Sequence, residues 1–258
     1  MREAIIIVGL LSLSIGSFLN ACIYRIPRNI SVLIPRSFCP HCRKSLSWCE
    51  LIPVGSFLLT GGKCRSCHKS ISPLYPSVEL AAMGIGVLLF LRDGASIQYL
   101  WDISFILVMT TVAIIDWENL IIPNGIVVCG LVIGIVLTLA ASAERFSSNV
   151  FSMLIAFSLT LTIALAGRWF FAKEAMGMGD VKLAGAIGFY LGAEDFLVAL
   201  WLSALIGGGY GLFLMKFRGA SKDFKIPFGS FLALVSSVVL IFSSTFDKWV
   251  EQWLIWLQ

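Results

Sequence analysis

The chain of 258 residues is 58% hydrophobic and 13% charged, with a formal net charge of +4, whereas a soluble globular chain carries about 25% charged residues. A soluble fold of this size has no room to hide several apolar runs as long as Ile126 to Ala141 and Val150 to Phe171, so membrane spans are the economical reading. The basic residues are too dispersed among apolar runs to form a nucleic-acid surface, and their use is to orient the chain in a bilayer.

The first apolar run, Ala4 to Ile23, opens on an Arg2/Glu3 pair, has no small-x-small cleavage site and is followed by its basic cluster. Those features fit a retained first span with its N-terminus outside better than a secretory signal. Residues 24–75 follow, rich in Cys, Pro and Ser, and form the only sizeable extramembrane piece. A segment of about 50 residues is near the size at which a metal or disulfide is needed to supplement the core.

Seven cysteines occur in the chain, and four of them form Cys39-Pro40-His41-Cys42 and Cys64-Arg65-Ser66-Cys67, with 21 residues between the pairs. Each Cys-x-x-Cys turn can offer two thiolates to one tetrahedral ion, so Cys39, Cys42, Cys64 and Cys67 read as a zinc-ribbon site. A disulfide reading conflicts with a reducing cytoplasm, and a redox role lacks the strand and helix of a thioredoxin-like motif. His41 and His68 are alternative ligands. Cys22 and Cys129 are expected to be packing residues in or beside spans, and Cys49 has no partner at ligand spacing. A closed four-thiolate site leaves no open position for catalysis, so the zinc would be structural.

Beyond the insert, spans are expected near 76–91, 97–115, 126–141, 149–171, 181–192, 195–215 and 227–246. With the first, near 4–23, they make an all-α polytopic protein of about eight transmembrane helices, of which the span at 181–192 is the shortest. The organisation is a first span (1–23), a cytoplasmic zinc-binding insert (24–75) and a transmembrane core (76–258), with no internal repeat. Placing residues 24–75 inside puts fifteen Lys and Arg on the cytoplasmic side, including Lys173, Lys182, Lys222 and Lys225 at later inside positions. Only Arg2, Arg92, Arg145 and Lys248 remain outside, as the positive-inside rule requires.

Ionisable groups in a membrane protein's apolar segments are expensive and call for an explanation. Asp116 ends the third span and Asp180 begins the sixth, so the topology assigns both the same cytoplasmic depth. Gly177 and Gly179 remove bulk beside Asp180, and a helix N-terminus there would favour its carboxylate form. Two carboxyls in one site share a proton, which is the device of aspartic peptidases. The competing reading is of two interfacial carboxylates satisfied by Lys182, Lys173 or backbone groups. Glu118, Glu174 and Asp223 are expected to be solvated, and Asp93, Asp102, Glu144, Glu194 and Asp195 to belong to the outer face. Glu79 is expected in the first turn of the second span, where the helix N-terminus would accommodate it.

Together, these stretches resemble the bacterial type IV prepilin peptidases, bifunctional leader peptidase/N-methyltransferases of the intramembrane aspartyl protease class. The likeness runs through Gly16-Ser17-Phe18-Leu19-Asn20, Tyr24-Arg25-Ile26-Pro27, both Cys-x-x-Cys pairs and Tyr75-Pro76-x-x-Glu79. It continues through Asp116, Ile122-Pro123-Asn124, Gly177-Met178-Gly179-Asp180-Val181-Lys182-Leu183 and Ile226-Pro227-Phe228-Gly229. The resemblance implies that Asp116 and Asp180 are the catalytic aspartates and that the substrates are prepilins or pseudopilins. It further implies cleavage after a glycine and methylation of the new N-terminal amine with S-adenosylmethionine, in a bacterial inner membrane. Asn124 departs from the family, many members of which carry an acid there. Residues for the methyl donor are not identified, and its site is expected to involve the cytoplasmic insert. Two readings from other classes are a proton-coupled transporter with relay aspartates and a noncatalytic scaffold that recruits partners through its zinc domain.

Overall fold

The structure is a computed structural model that describes the chain except residues 1, 35, 172–175, 220–224 and 257–258, with the side chains of 143, 171 and 244–256 also left aside. Lys173, Glu174, Lys222 and Asp223, expected in cytoplasmic loops, therefore lie outside the described residues, as does the side chain of Lys248. The chain divides into two compact units, Met1–Tyr99 and Leu100–Gln258.

The first unit contains α1 (Arg2–Arg25), a short α2 (Gly55–Leu59) and α3 (Leu74–Asp93). Small residues let α1 and α3 approach closely. A Cβ on Gly16 would come within 2.8 Å of the Glu79 backbone, and one on Gly86 would overlap the Ser12 side chain. Close backbone approach of this kind is how helices associate in lipid, where apolar side chains gain nothing by leaving their surroundings. The opposite face of α1 presents Ile6, Ile7, Leu10, Leu11 and Phe18, all more than half exposed.

Between α1 and α3, residues 26–73 form an irregular insert with short 3-10 turns at Ile26–Arg28 and Trp48–Leu51. The second turn is closed by Ser47 and Glu50. The Glu50 carboxylate accepts from the Ser47 N–H and hydroxyl, and these two bonds, the backbone one first, hold its carboxyl below the usual carboxylate range.

The second unit contains α4 (Ile97–Asn119, counted from Leu100), α5 (Asn124–Ala141), α6 (Ala143–Phe171), α7 (Met178–Leu191), α8 (Ala193–Arg218) and α9 (Phe228–Trp256). α7 is its hub and packs on α5, α6, α8 and α9. Its residues from Leu183 to Tyr190 are all buried, so this helix is apolar on every side because protein surrounds it. Gly188 is the contact that brings it against α6: a Cβ there would strike Ala156 and lie 2.8 Å from the Ser152 carbonyl. α4 reaches the same hub through large side chains, Trp101 and Phe105 stacking on Tyr190 at centroid distances of 4.5 and 4.9 Å. The Tyr190 hydroxyl donates 2.8 Å to the Gly130 carbonyl of α5, a hydrogen bond made inside the bundle.

All eight expected spans are helical. Six helices are long and apolar enough to cross a membrane among the described residues: α1, α3, α4, α5, α6 and α8. α9 is apolar over Phe228–Ser243, and α7 has only 14 residues. α6 begins at Ala143, earlier than hydropathy suggested, because Glu144, Arg145 and Ser147 extend the helix without lengthening its apolar stretch. The protein is thus a helical, multi-pass membrane protein with a cysteine-bearing insert.

One expectation about an acid changes. Glu79 lies beyond the first turn of α3 and is only 7% exposed, and the partner that accommodates it is the Val54 N–H, 2.7 Å from Oε2. Asp102 is fully buried in the second turn of α4, toward the end of that helix opposite Asp116. Cys22 is buried as a packing residue, whereas Cys129 is exposed on the surface of α5.

Candidate functional site

The aspartate site lies wholly within the second unit. Asp116 is in the last turn of α4 and is 5% exposed. Its Oδ2 accepts the Ser230 N–H at 2.8 Å and lies 3.1 Å from the Ser230 hydroxyl, which also has the Ala113 carbonyl at 2.8 Å. The Ser230 hydroxyl has one proton for these two acceptors, and the backbone N–H is shared between Asp116, the shorter bond, and the Pro227 carbonyl at 3.1 Å. The first turn of α9 therefore fixes the rotamer of Asp116.

Asp180 is the third residue of α7. Its Oδ2 accepts the Gly177 N–H at 3.2 Å, half of a capping box, since a glycine cap has no side chain to reciprocate. The bond holds the carboxyl over the start of the helix, with Oδ1 left to face its neighbours.

Gly229 brings the two acids together. A Cβ on this residue would lie 3.0 Å from Asp116 Oδ2, 3.0 Å from Asp180 Oδ1 and 2.6 Å from Ile122 Cδ1. The two carboxylate oxygens are therefore at most 6.0 Å apart, the sum of their distances to that point. Ile122 forms another wall and passes 3.1 Å from where a Cβ of Gly179 would stand. Gly179 thus accommodates the α4–α5 connection, while Gly177 is exposed. Two carboxyls at this separation can hold a water between them, one drawing its proton and the other donating one.

The competing reading named Lys182, Lys173 or backbone groups as partners of the aspartates. Lys182 Nζ instead donates to Asn124 Oδ1 at 3.1 Å, which ties the starts of α5 and α7 together, and Lys173 lies outside the described residues, whereas the backbone N–H groups of Ser230 and Gly177 do bond the two carboxylates. Gly229 and Ser230 were not singled out among candidate site residues. The signal available was Ile226-Pro227-Phe228-Gly229, in which a proline and a glycine open an apolar helix, as in a chain brought close to another group.

The cysteine site lies within the first unit. Cys39, Cys42, Cys64 and Cys67 have their sulfurs within 4.8 Å of one another, and Cys39 and Cys67 are 3.9 Å apart. Tetrahedral zinc with Zn–S bonds of about 2.3 Å places its sulfurs about 3.8 Å from one another, so the donor set fits that ion. Neither histidine joins the cluster, and Cys49 is exposed outside it.

The two halves of the site share one backbone pattern. The Cys39 N–H donates to the Lys44 carbonyl and the Arg43 N–H to the Cys39 carbonyl. The Cys64 N–H donates to the Lys69 carbonyl and the His68 N–H to the Cys64 carbonyl, all four at 2.9 Å. Arg43 and His68 occupy equivalent left-handed positions, φ 60° and 55°, and each turn is flanked by one bridge, Phe38 with Ser45 and Lys63 with Ser70. This is a short internal repeat, Cys-x-x-Cys-x-Lys-Ser, which corrects the expectation of no internal repeat. Backbone N–H groups of Cys67 and then Ser66 pull the Cys64 thiol down to about 7. Cys67 is pushed up to about 11, because burial and the neighbouring thiols outweigh the N–H of Lys69. Four sulfurs this close can hold one metal ion among them.

A pair of carboxylates held at helix ends, in a bundle of apolar helices whose chain also carries a four-thiolate cluster, defines a membrane-embedded protein with an acid-pair site. The family models agree on a class. Residues 10–92 match the bacterial peptidase A24 N-terminal domain and residues 103–212 the type IV leader peptidase family. A relative from Bacillus subtilis is 31% identical over 95% of this chain and 96% of its own length. One from Aeromonas hydrophila is 29% identical over 94% and 92%, and one from Legionella pneumophila 28% over 95% and 93%. Each of the three carries the name prepilin leader peptidase/N-methyltransferase. The chain belongs to the type IV leader peptidase family. No solved structure matches it.

Proposed function

We infer that this protein removes the leader from prepilins or pseudopilins and methylates the N-terminus so exposed, with Asp116 and Asp180 as the catalytic pair. The observation that carries the peptidase reading is the pair itself, whose oxygens lie no more than 6.0 Å apart across Gly229, in a chain of this family. One carboxylate takes a proton from the water that attacks the scissile carbonyl. The other, protonated, supports the developing oxyanion and then helps protonate the leaving amine. Protons of such a dyad belong to the pair, so neither acid is assigned one role.

The relatives' name supports S-adenosylmethionine as methyl donor, which supplies an electrophilic methyl group when bound. Cys39, Cys42, Cys64 and Cys67 would hold a structural zinc ion that closes the insert. The fifteen-to-four distribution of Lys and Arg supports an orientation with the insert and both aspartates on the cytoplasmic side. A basic leader stays on that side, so its junction with the apolar segment of the substrate lies at the depth of the pair.

The test is incubation of the purified protein with a prepilin in detergent, followed by mass analysis. Loss of the leader is expected, with gain of one methyl group only when S-adenosylmethionine is added. Intact substrate with the wild-type protein would overturn the peptidase reading, and a cleaved but unmethylated product in the presence of donor would overturn the second activity.

A further inference from the structure

We propose that a groove between α5 and α6 binds an anionic phospholipid of the bilayer, with the lipid phosphate on Lys182 and one acyl chain along the apolar walls. The groove lies wholly within the second unit and has a volume of about 250 Å³. Val128 and Leu131 stand on its α5 wall, Leu154 and Phe157 on its α6 wall, and Gly185 and Ala186 of α7 at its base. The small residues at the base give the groove its depth. Val128 and Leu154 are each more than half exposed, so the groove opens outward from the bundle. Both belong to helices long and apolar enough to cross a membrane, and what surrounds such helices at that depth is hydrocarbon.

One end of the groove is charged. Lys182 and Asn124 line it there, close to the starts of α7 and α5. Lys182 is exposed, and its Nζ donates to the neutral Asn124 Oδ1 at 3.1 Å, which leaves two of its three N–H donors for another acceptor. It makes no ion pair with a carboxylate among the described residues. The start of α5 adds the positive end of a helix dipole beside it. This layout is that of a phospholipid: an anionic phosphate at the water boundary, with hydrocarbon running inward from it. Basic pockets between membrane-spanning helices take anionic headgroups for the same reason. From Asn124 to Leu131, α5 rises about 10 Å, so the wall accepts the part of an acyl chain nearest its headgroup.

Two observations separate the groove from the reaction proposed above. Lys182, Gly185 and Ala186 are spaced i, i+3 and i+4 and share one face of α7. Asp180, two positions before Lys182, turns away from that face toward Gly229 and Asp116. The groove therefore lies behind the aspartate site. Charge gives the second distinction. A prepilin presents its basic leader at this end of the bundle, and Lys182 would repel it, whereas a lipid phosphate carries the complementary sign.

The experiment titrates the full-length protein in detergent with phosphatidylglycerol and with phosphatidylcholine of the same acyl chains, and reads lipid-bound protein by native mass spectrometry. Wild type is expected to bind the first phosphatidylglycerol at least about five-fold more tightly than phosphatidylcholine, the scale of one basic residue facing an anionic lipid. Lys182→Gln keeps a donor for Asn124, removes the charge and is expected to erase that preference. Asn124→Asp sets a carboxylate against Lys182 and is expected to lower it as well. Val128→Trp fills the groove from its rim and is expected to weaken the binding of both lipids at an unchanged thermal midpoint. Equal affinities for the two lipids in wild type, or a preference that survives Lys182→Gln, would overturn the proposal. Unaltered lipid binding in Val128→Trp would also overturn it. A raised KM for prepilin cleavage alongside that result would give the groove to the apolar segment of the substrate, and a loss of self-association would give it to a second copy of this chain.

Discussion

The cysteine cluster and the aspartate pair are assembled in opposite ways. Each half of the cysteine site is made within eight consecutive residues by hydrogen bonds between backbone groups that are near neighbours in the chain. The aspartate site joins the end of α4 to the starts of α7 and α9, and its central hydrogen bonds link Asp116 to Ser230, 114 positions away. The first site needs only its own turns to bring the four sulfurs together. The second depends on the whole helical unit being packed correctly, so its geometry is open to disturbance by changes that touch neither acid.

The sharpest way to break this contrast is to remove the acids themselves. Asp116→Asn and Asp180→Asn are each expected to reduce prepilin cleavage by at least about 10³-fold, the scale at which loss of a positioned acid or base is felt, with no loss of zinc. Activity within ten-fold of wild type in either variant would show that the pair is not catalytic.

Next in size is Gly229→Ala. The added methyl would collide with Ile122 and press on both carboxylates, and misplacing a catalytic group by about 1 Å can cost about 10²-fold. Cleavage kinetics should fall by that order while donor binding is kept. A silent substitution would mean that the site tolerates looser geometry than its packing implies.

At the other site, Cys39→Ser combined with Cys42→Ser is expected to abolish bound zinc and loosen residues 24–75, detected by metal analysis and limited proteolysis. Zinc retained at full stoichiometry would refute the four-thiolate assignment. Tyr190→Phe should have a smaller effect. It removes a hydrogen bond to a buried carbonyl, worth about 1 kcal/mol, and should lower the thermal midpoint in detergent slightly, with cleavage retained. Lys182→Ala should have the smallest, less than about three-fold on cleavage, because Lys182 bonds Asn124 and not the aspartates. A loss as large as that of Asp180→Asn would restore Lys182 as their counter-ion.

What the sequence disclosed follows the same division. The cysteine cluster could be read from two short spacings because its geometry is local, and even its repeated backbone turn is written in Cys-x-x-Cys-x-Lys-Ser. The helices could be read from apolar runs, because in lipid the backbone must satisfy itself within each segment. That Asp116 and Asp180 stand at helix ends followed from where their apolar runs stop and start. Their mutual distance did not, since it depends on Gly229 and Ser230 arriving from a third helix, and spacing along the chain does not encode lateral packing. The Glu79–Val54 contact was also out of reach, because a β-branched residue with positive φ contradicts its own local preference.

The brevity of α7 has a consequence for the lipid. Fourteen residues rise about 21 Å, against about 30 Å of hydrocarbon in a typical bilayer. A helix that short, surrounded by protein, cannot reach both faces of the apolar layer by tilting. Neighbouring helices enclose it, so at least one end stays recessed from the edge of the apolar layer, and in the reaction proposed above the end that carries Asp180 is where water must arrive.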